Sequence, residues 1–108
     1  MPLQISSVQN VRIKGVIKLN NRRYRDEREL TVVEGMREVG HALQAGIVPT
    51  EAFICPDLLD DARETAVFKQ LSHLAQQQQT ILIEVTKPVF AKMAYRGESG
   101  GVLIVIPY

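Results

Sequence analysis

The sequence has one cysteine, Cys55, so no internal disulfide can form, and no second cysteine stands at metal-ligand spacing. That usage fits a reducing, cytoplasmic setting. Long hydrophobic runs are missing too. The longest, Val102 to Ile106, is far too short to cross a bilayer, and no membrane role is expected. Met1-Pro2-Leu3-Gln4 does not read as a signal peptide, because no charged start runs into an apolar stretch. Catalytic signatures are equally scarce. There is no Gly-x-Ser-x-Gly turn, no His-Glu-x-x-His and no phosphate-cradling Gly-x-x-x-x-Gly-Lys. His41 and His73 fall on different expected helices without a carboxylate or cysteine spaced to form a site, and both read as surface residues. Cys55 ends an apolar strand, which favours a buried, inert thiol. Gly97 with Gly100-Gly101 precedes a strand, whereas a dinucleotide loop follows one and opens a helix; a plain turn is the better account.

What is present describes one domain. At 108 residues with 45% apolar side chains, the chain is the right size for one core and too apolar to be disordered. No repeat or linker divides it. The net charge of +1 conceals an asymmetry. Residues 1–28 hold seven basic side chains against two acidic ones, for +5, and residues 29–108 hold six against ten, for −4. A basic segment 1–28 on an α/β core 29–108 suggests contact with a polyanion; a merely solvated charged face is the alternative.

Along the chain, residues 8–19 read as a helix that Ser6 or Ser7 could cap. Ile13, Val16 and Ile17 share one face, and Lys14, Lys18 and Arg22 form a basic stripe beside it. Residues 20–28 have almost nothing to bury, and are expected to be a mobile exposed loop or a frayed end of that helix. Leu30–Val33, Ala52–Cys55, Ile81–Val85 and Val102–Ile106 are β-prone runs. Between them lie three helical patterns. The first carries Met36, Val39, Leu43 and Ile47 and ends at Gly46, and Pro49 forbids continuation. The second begins among Asp57, Asp60 and Asp61, buries Val67, Leu71 and Leu74, and runs out in glutamines 76–79. The third is capped by Thr86, takes Pro88 in its first turn, and buries Val89, Phe90 and Met93. Helices alternating with strands that lack a polar face argue for a three-layer α/β/α sandwich.

Nucleic-acid binding is the chemistry with positive support. Phosphate contacts need cations on one exposed surface, and Lys14, Lys18, Arg22, Arg23 and Arg25 meet that need. Tyr24 among them either stacks on an unpaired base or packs its ring on the core. Gly35 allows close backbone approach at a strand-to-helix junction, and the helix start behind it suits phosphate. Glu34 would then accept a hydrogen bond from a base amino group or an arginine. Otherwise Glu34-Gly35 is simply a tight turn with a dipole-matched acid.

Ser7-Val8-Gln9-Asn10, Ile13-Lys14, the arginine-rich stretch and Val33-Glu34-Gly35 together resemble the opening of the SpoU (TrmH-like) RNA methyltransferases. Val39, Ala42-Leu43, Ala45-Gly46, Pro49 and the Gly101-Val102-Leu103 strand keep to the same pattern over nearly the whole chain. Val11 stands where that family usually has proline, and Ser99-Gly100-Gly101 where it often has Pro-Gln-Gly. The resemblance implies a substrate-binding domain folded like the kink-turn-binding ribosomal proteins and gripping structured RNA, either ribosomal or transfer RNA. Carried over by position, Asn10, Lys14, Arg22, Arg23, Arg25, Glu34, Gly35 and Arg37 are the expected RNA contacts. It further implies a C-terminal knotted domain that binds S-adenosylmethionine, methylates a ribose 2′-hydroxyl and forms a homodimer. Nothing after Tyr108 encodes such a domain, so the chain is expected to be an inactive part of a longer enzyme. A stand-alone ribosomal-type RNA-binding protein is the alternative.

Overall fold

All four apolar runs form strands in the computed structural model, which describes residues 3–59, 62–95 and 100–107. The strands are β1 (Leu3–Ile5), β2 (Leu30–Glu34), β3 (Glu51–Ile54), β4 (Ile81–Val85) and β5 (Val102–Pro107). The helices are α1 (Val11–Lys18), α2 (Arg22–Arg28), α3 (Met36–Gln44), α4 (Ala62–Gln76) and α5 (Lys87–Met93). The sheet order is β1-β4-β3-β5-β2. β4 runs parallel to β1 and β3, while β5 is antiparallel to both β3 and β2.

Side-chain alternation along the central strands divides the core in two. Phe53 and Cys55, Ile83 and Val85, and Leu103 and Val105 face α1 and α5, meeting Ile13, Val16, Leu19, Val89, Phe90 and Met93. Ala52, Ile54, Leu82, Val102 and Ile104 face the other way, onto Val39 and Leu43 of α3 and Val67 and Leu71 of α4. Both faces of the sheet are therefore covered, as the unbroken apolar strands require. The three-layer expectation holds. No helix among the described residues is long and apolar enough to cross a membrane.

Several local expectations change. β1 was not expected; its three residues are half-exposed or exposed and too few to carry a readable pattern, and only pairing with β4 makes them a strand. α1 begins at Val11, not residue 8, because Asn10 caps it by accepting from the Arg12 N–H at 2.8 Å. Ser7 instead accepts from the Gln9 N–H at 3.2 Å in the turn before it. Residues 20–28 do not form a loop: Arg22–Arg28 is a two-turn helix. Asn21 caps it by accepting from the Tyr24 N–H at 3.2 Å, and Glu29 closes it with φ 56. After β3, Pro56 opens a single 3-10 turn, Pro56–Leu58. Thr86 occupies the cap position of α5, but its hydroxyl makes no capping bond. Asp60 and Asp61 lie outside the described residues.

Gly46 has φ +83 at the end of α3, the conformation expected of it. Gly101 has φ +79, and a Cβ there would stand 2.9 Å from Leu58 Cβ and 3.0 Å from the Cys55 carbonyl. The turn into β5 thus depends on a missing side chain.

Candidate nucleic-acid interface

The basic segment is built from two short helices broken at Asn20-Asn21. Lys14 and Lys18 lie one turn apart on the exposed side of α1, and Arg22 and Arg23 open α2, also exposed. Lys18 and Arg23 line the same shallow groove across the break. All four stand in the helix layer that packs through Ile13, Val16 and Leu19 against one face of the sheet. Arg23 pairs with Glu27 at 3.5 Å, but its side chain is 90% exposed, so the pair contributes little and leaves the cation accessible.

The remaining cations of the segment are engaged. Arg12 is ion-paired with Glu51 across to β3, a contact no sequence pattern announced. Arg25 is half-buried and donates to the Leu19 carbonyl at 2.8 Å, tying α2 to the end of α1. Arg28 donates to the Tyr24 hydroxyl at 3.1 Å. That bond raises the Arg28 pKa further, so the guanidinium stays charged. Tyr24 itself is half-buried against the core, with the Lys18 ammonium 5.9 Å and the Arg28 guanidinium 5.4 Å from its ring centre. Packing and cation contacts thus occupy much of that ring.

Asn10 is exposed, and its side-chain oxygen is committed to the α1 cap. Glu34, at the end of β2, is buried, and its Oε1 accepts from the Tyr95 N–H at 2.6 Å. The sequence offered a base or an arginine as its partner; the structure adds the backbone of the turn after α5. Gly35 caps α3 at φ 101, and its carbonyl accepts from the Val39 N–H at 2.9 Å. Arg37 is exposed in the first turn of α3, on the other side of the sheet from α1. Four of the ten residues singled out from sequence (Lys14, Lys18, Arg22 and Arg23) are therefore exposed on the consecutive helices α1 and α2, and two of them, Lys18 and Arg23, line one groove. Arg25 and Glu34 line a separate cleft together with Asn20, Glu38 and Tyr95. No sequence pattern singled out Tyr95, which lies in the turn after α5.

The two histidines are exposed and Cys55 is fully buried, as read from sequence. Burial pushes the Cys55 thiol up from its ordinary value. Gly97 lies outside the described residues, while Gly100 and Gly101 both have positive φ in the turn that opens β5. Among the described residues, no group of three or more His, Cys, Asp or Glu is placed to hold a metal ion.

Comparison with known proteins gives a consistent answer. Residues 10–103 match the family described as the MRM3-like substrate binding domain. A solved RNA 2′-O ribose methyltransferase superposes with a TM-score of 0.80 and is 30% identical, covering 97% of this chain and 37% of its own. An rRNA methyltransferase from Sinorhizobium meliloti gives a TM-score of 0.76 at 19% identity, over 97% of this chain and 36% of its own. The SpoU methyltransferase AviRb from Streptomyces viridochromogenes, solved with AdoMet, gives 0.62 at 17% identity, over 91% and 33%. The last two likenesses speak to fold alone. The chain spans about a third of the length of the solved chains it matches. No protein of curated function matches it in sequence.

Proposed function

Since the chain belongs to the MRM3-like substrate-binding domain family, we propose that it grips structured RNA for a SpoU-type ribose 2′-O-methyltransferase. The observation that carries the reading is that Lys14, Lys18, Arg22 and Arg23 are all exposed on the consecutive helices α1 and α2, within the matched residues. Arginine forks and lysine ammoniums hold phosphate oxygens, and such contacts set the register of an RNA without reading its sequence. Binding energy gathered here, away from the reacting ribose, brings the target hydroxyl to the methyl donor and holds it there. Ribosomal or transfer RNA in the cytoplasm is the substrate class this implies.

Methyl transfer itself belongs to a second, knotted domain of the parent enzyme, which also forms a homodimer. S-adenosylmethionine would supply the methyl group there. The Gly100-Gly101 turn is no cradle for that cofactor: it leads into a strand, and even a Cβ at Gly101 would meet Leu58 and the Cys55 carbonyl. No catalytic step is assigned to this domain.

The test is a titration of the chain with a structured RNA at rising salt. Affinity should fall steeply, because neutralised phosphates release counterions. An affinity indifferent to salt would remove the proposal, as would failure to bind ribosomal and transfer RNA altogether.

A further inference from the structure

Gly15 lies inside α1, where glycine is among the poorest helix formers, and nothing in the fold asks for it. Its backbone is helical, a conformation that any residue adopts. Apart from its chain neighbours and the backbone of its own helix, a Cβ there would meet no atom within 4 Å. Alanine would therefore stabilise the domain by itself, whereas glycine leaves a bare stretch of helix backbone at a half-buried position.

That stretch opens onto a groove that Arg12, Tyr24, Arg28, Leu30 and Val105 also line. Lys18, three residues on, stands beside Gly15 on the helix surface and is exposed. The Lys18 ammonium and the Arg28 guanidinium lie 5.9 and 5.4 Å from the centre of the Tyr24 ring, so both cations gather at this groove. Arg28 donates to the neutral Tyr24 hydroxyl, a bond that leaves its charge in place. Arg12 differs, because Glu51 neutralises it. A groove edged by Lys18 and Arg28 favours a polyanion, and the missing side chain lets that polyanion come down onto the helix. We infer that the sugar–phosphate strand of the RNA lies directly on the backbone of α1 at Gly15, with Lys18 on a neighbouring phosphate. The inference rests on the RNA-binding reading above and adds to it where the strand passes and how closely.

Gly15→Ala and Gly15→Leu are compared with the parent in the full chain. Circular dichroism follows the thermal melt, and fluorescence anisotropy follows binding of a labelled stem–loop RNA. Gly15→Ala should raise the melting temperature by about 3–8 °C, since alanine is the best helix former and its Cβ meets nothing. The same change should weaken RNA binding about 3- to 10-fold, and the larger Gly15→Leu about 10- to 100-fold, the range that a side chain forced into a close contact costs. The slope of log affinity on log salt should stay parental in Gly15→Ala, because no cation is lost. A firmer fold with weaker RNA binding is a combination that a structural role for Gly15 does not produce. Parental affinity in Gly15→Leu, a lowered melting temperature in Gly15→Ala, or a reduced salt slope in Gly15→Ala overturns the inference. If the parent binds RNA in that case, the RNA-binding reading stands without it. If the parent chain binds no RNA, both fall together.

Discussion

Replacing Arg22 and Arg23 together by glutamate perturbs the proposed interface at the two residues whose removal should do least to the fold. Both are exposed, and the one ion pair lost, Arg23 with Glu27, is a solvated pair on neighbouring turns. The structure sets how many cations are open to phosphate. Arg12 is held by Glu51 and Arg25 is half-buried on the Leu19 carbonyl; of the exposed cations, Arg28 donates to Tyr24, and Lys14, Lys18, Arg22 and Arg23 are taken as the phosphate contacts. Four phosphates neutralised give a slope of log affinity on log salt of about −3.6 with the duplex coefficient, or about −2.8 on single strands. Raising salt from about 50 to about 200 mM should then weaken the parent about 150-fold on a paired stem. With two contacts removed the slope should be about −1.8 and the loss about 12-fold, on top of a lower affinity at low salt from the introduced repulsion. Fluorescence anisotropy with a labelled stem–loop RNA at several salt concentrations measures both slopes. A variant that keeps the parental slope would show that the phosphates are held elsewhere, and the assignment of α1 and α2 would be lost.

Three further outcomes follow from the fold. Gly101→Ala places a Cβ against the Cys55 carbonyl at a positive φ, which should cost about 1–3 kcal/mol and lower the melting temperature by about 4–8 °C for each kcal/mol; an unchanged melt would mean the turn relaxes freely. Glu34→Ala removes the buried acceptor of the Tyr95 N–H and should reduce stability in urea by about 1.5–3 kcal/mol, with Glu34→Gln recovering part of it. Cys55 should resist a thiol reagent in the folded chain at neutral pH and react once urea unfolds it. Because burial raises its pKa, its contribution to stability is full below the unfolded thiol's value and is lost as pH rises toward the folded one, so alkaline pH should lower the urea midpoint relative to Cys55→Ala.

Most of the architecture was legible because burial leaves a periodic mark. Val102 to Val105 is apolar at every position because helices cover both faces of β5, and a run of that kind has few other homes. Gly46 was readable because only a few residues tolerate its conformation. α2 was not readable: its one packing residue is Tyr24, and it is held by an Asn21 cap and by arginine side chains bonded to Leu19 and Tyr24. Interactions of that kind leave no apolar period to find. β1 escaped for another reason: it is three residues long, and its partners in β4 lie eighty positions further along the chain.

For the site, the amino-acid order determined the charge of the first 28 residues and the presence of Glu34-Gly35, because charge and backbone freedom are properties of residues themselves. Which of those cations remain open was decided partly by tertiary structure, since Glu51 and the Leu19 carbonyl reach Arg12 and Arg25 only after the helices pack, whereas Arg28 meets the Tyr24 hydroxyl one turn away within α2. The same holds for the pairing of Glu34 with Tyr95 across 61 positions of chain, which no local pattern encodes because it exists only where β2 ends beside the turn after α5.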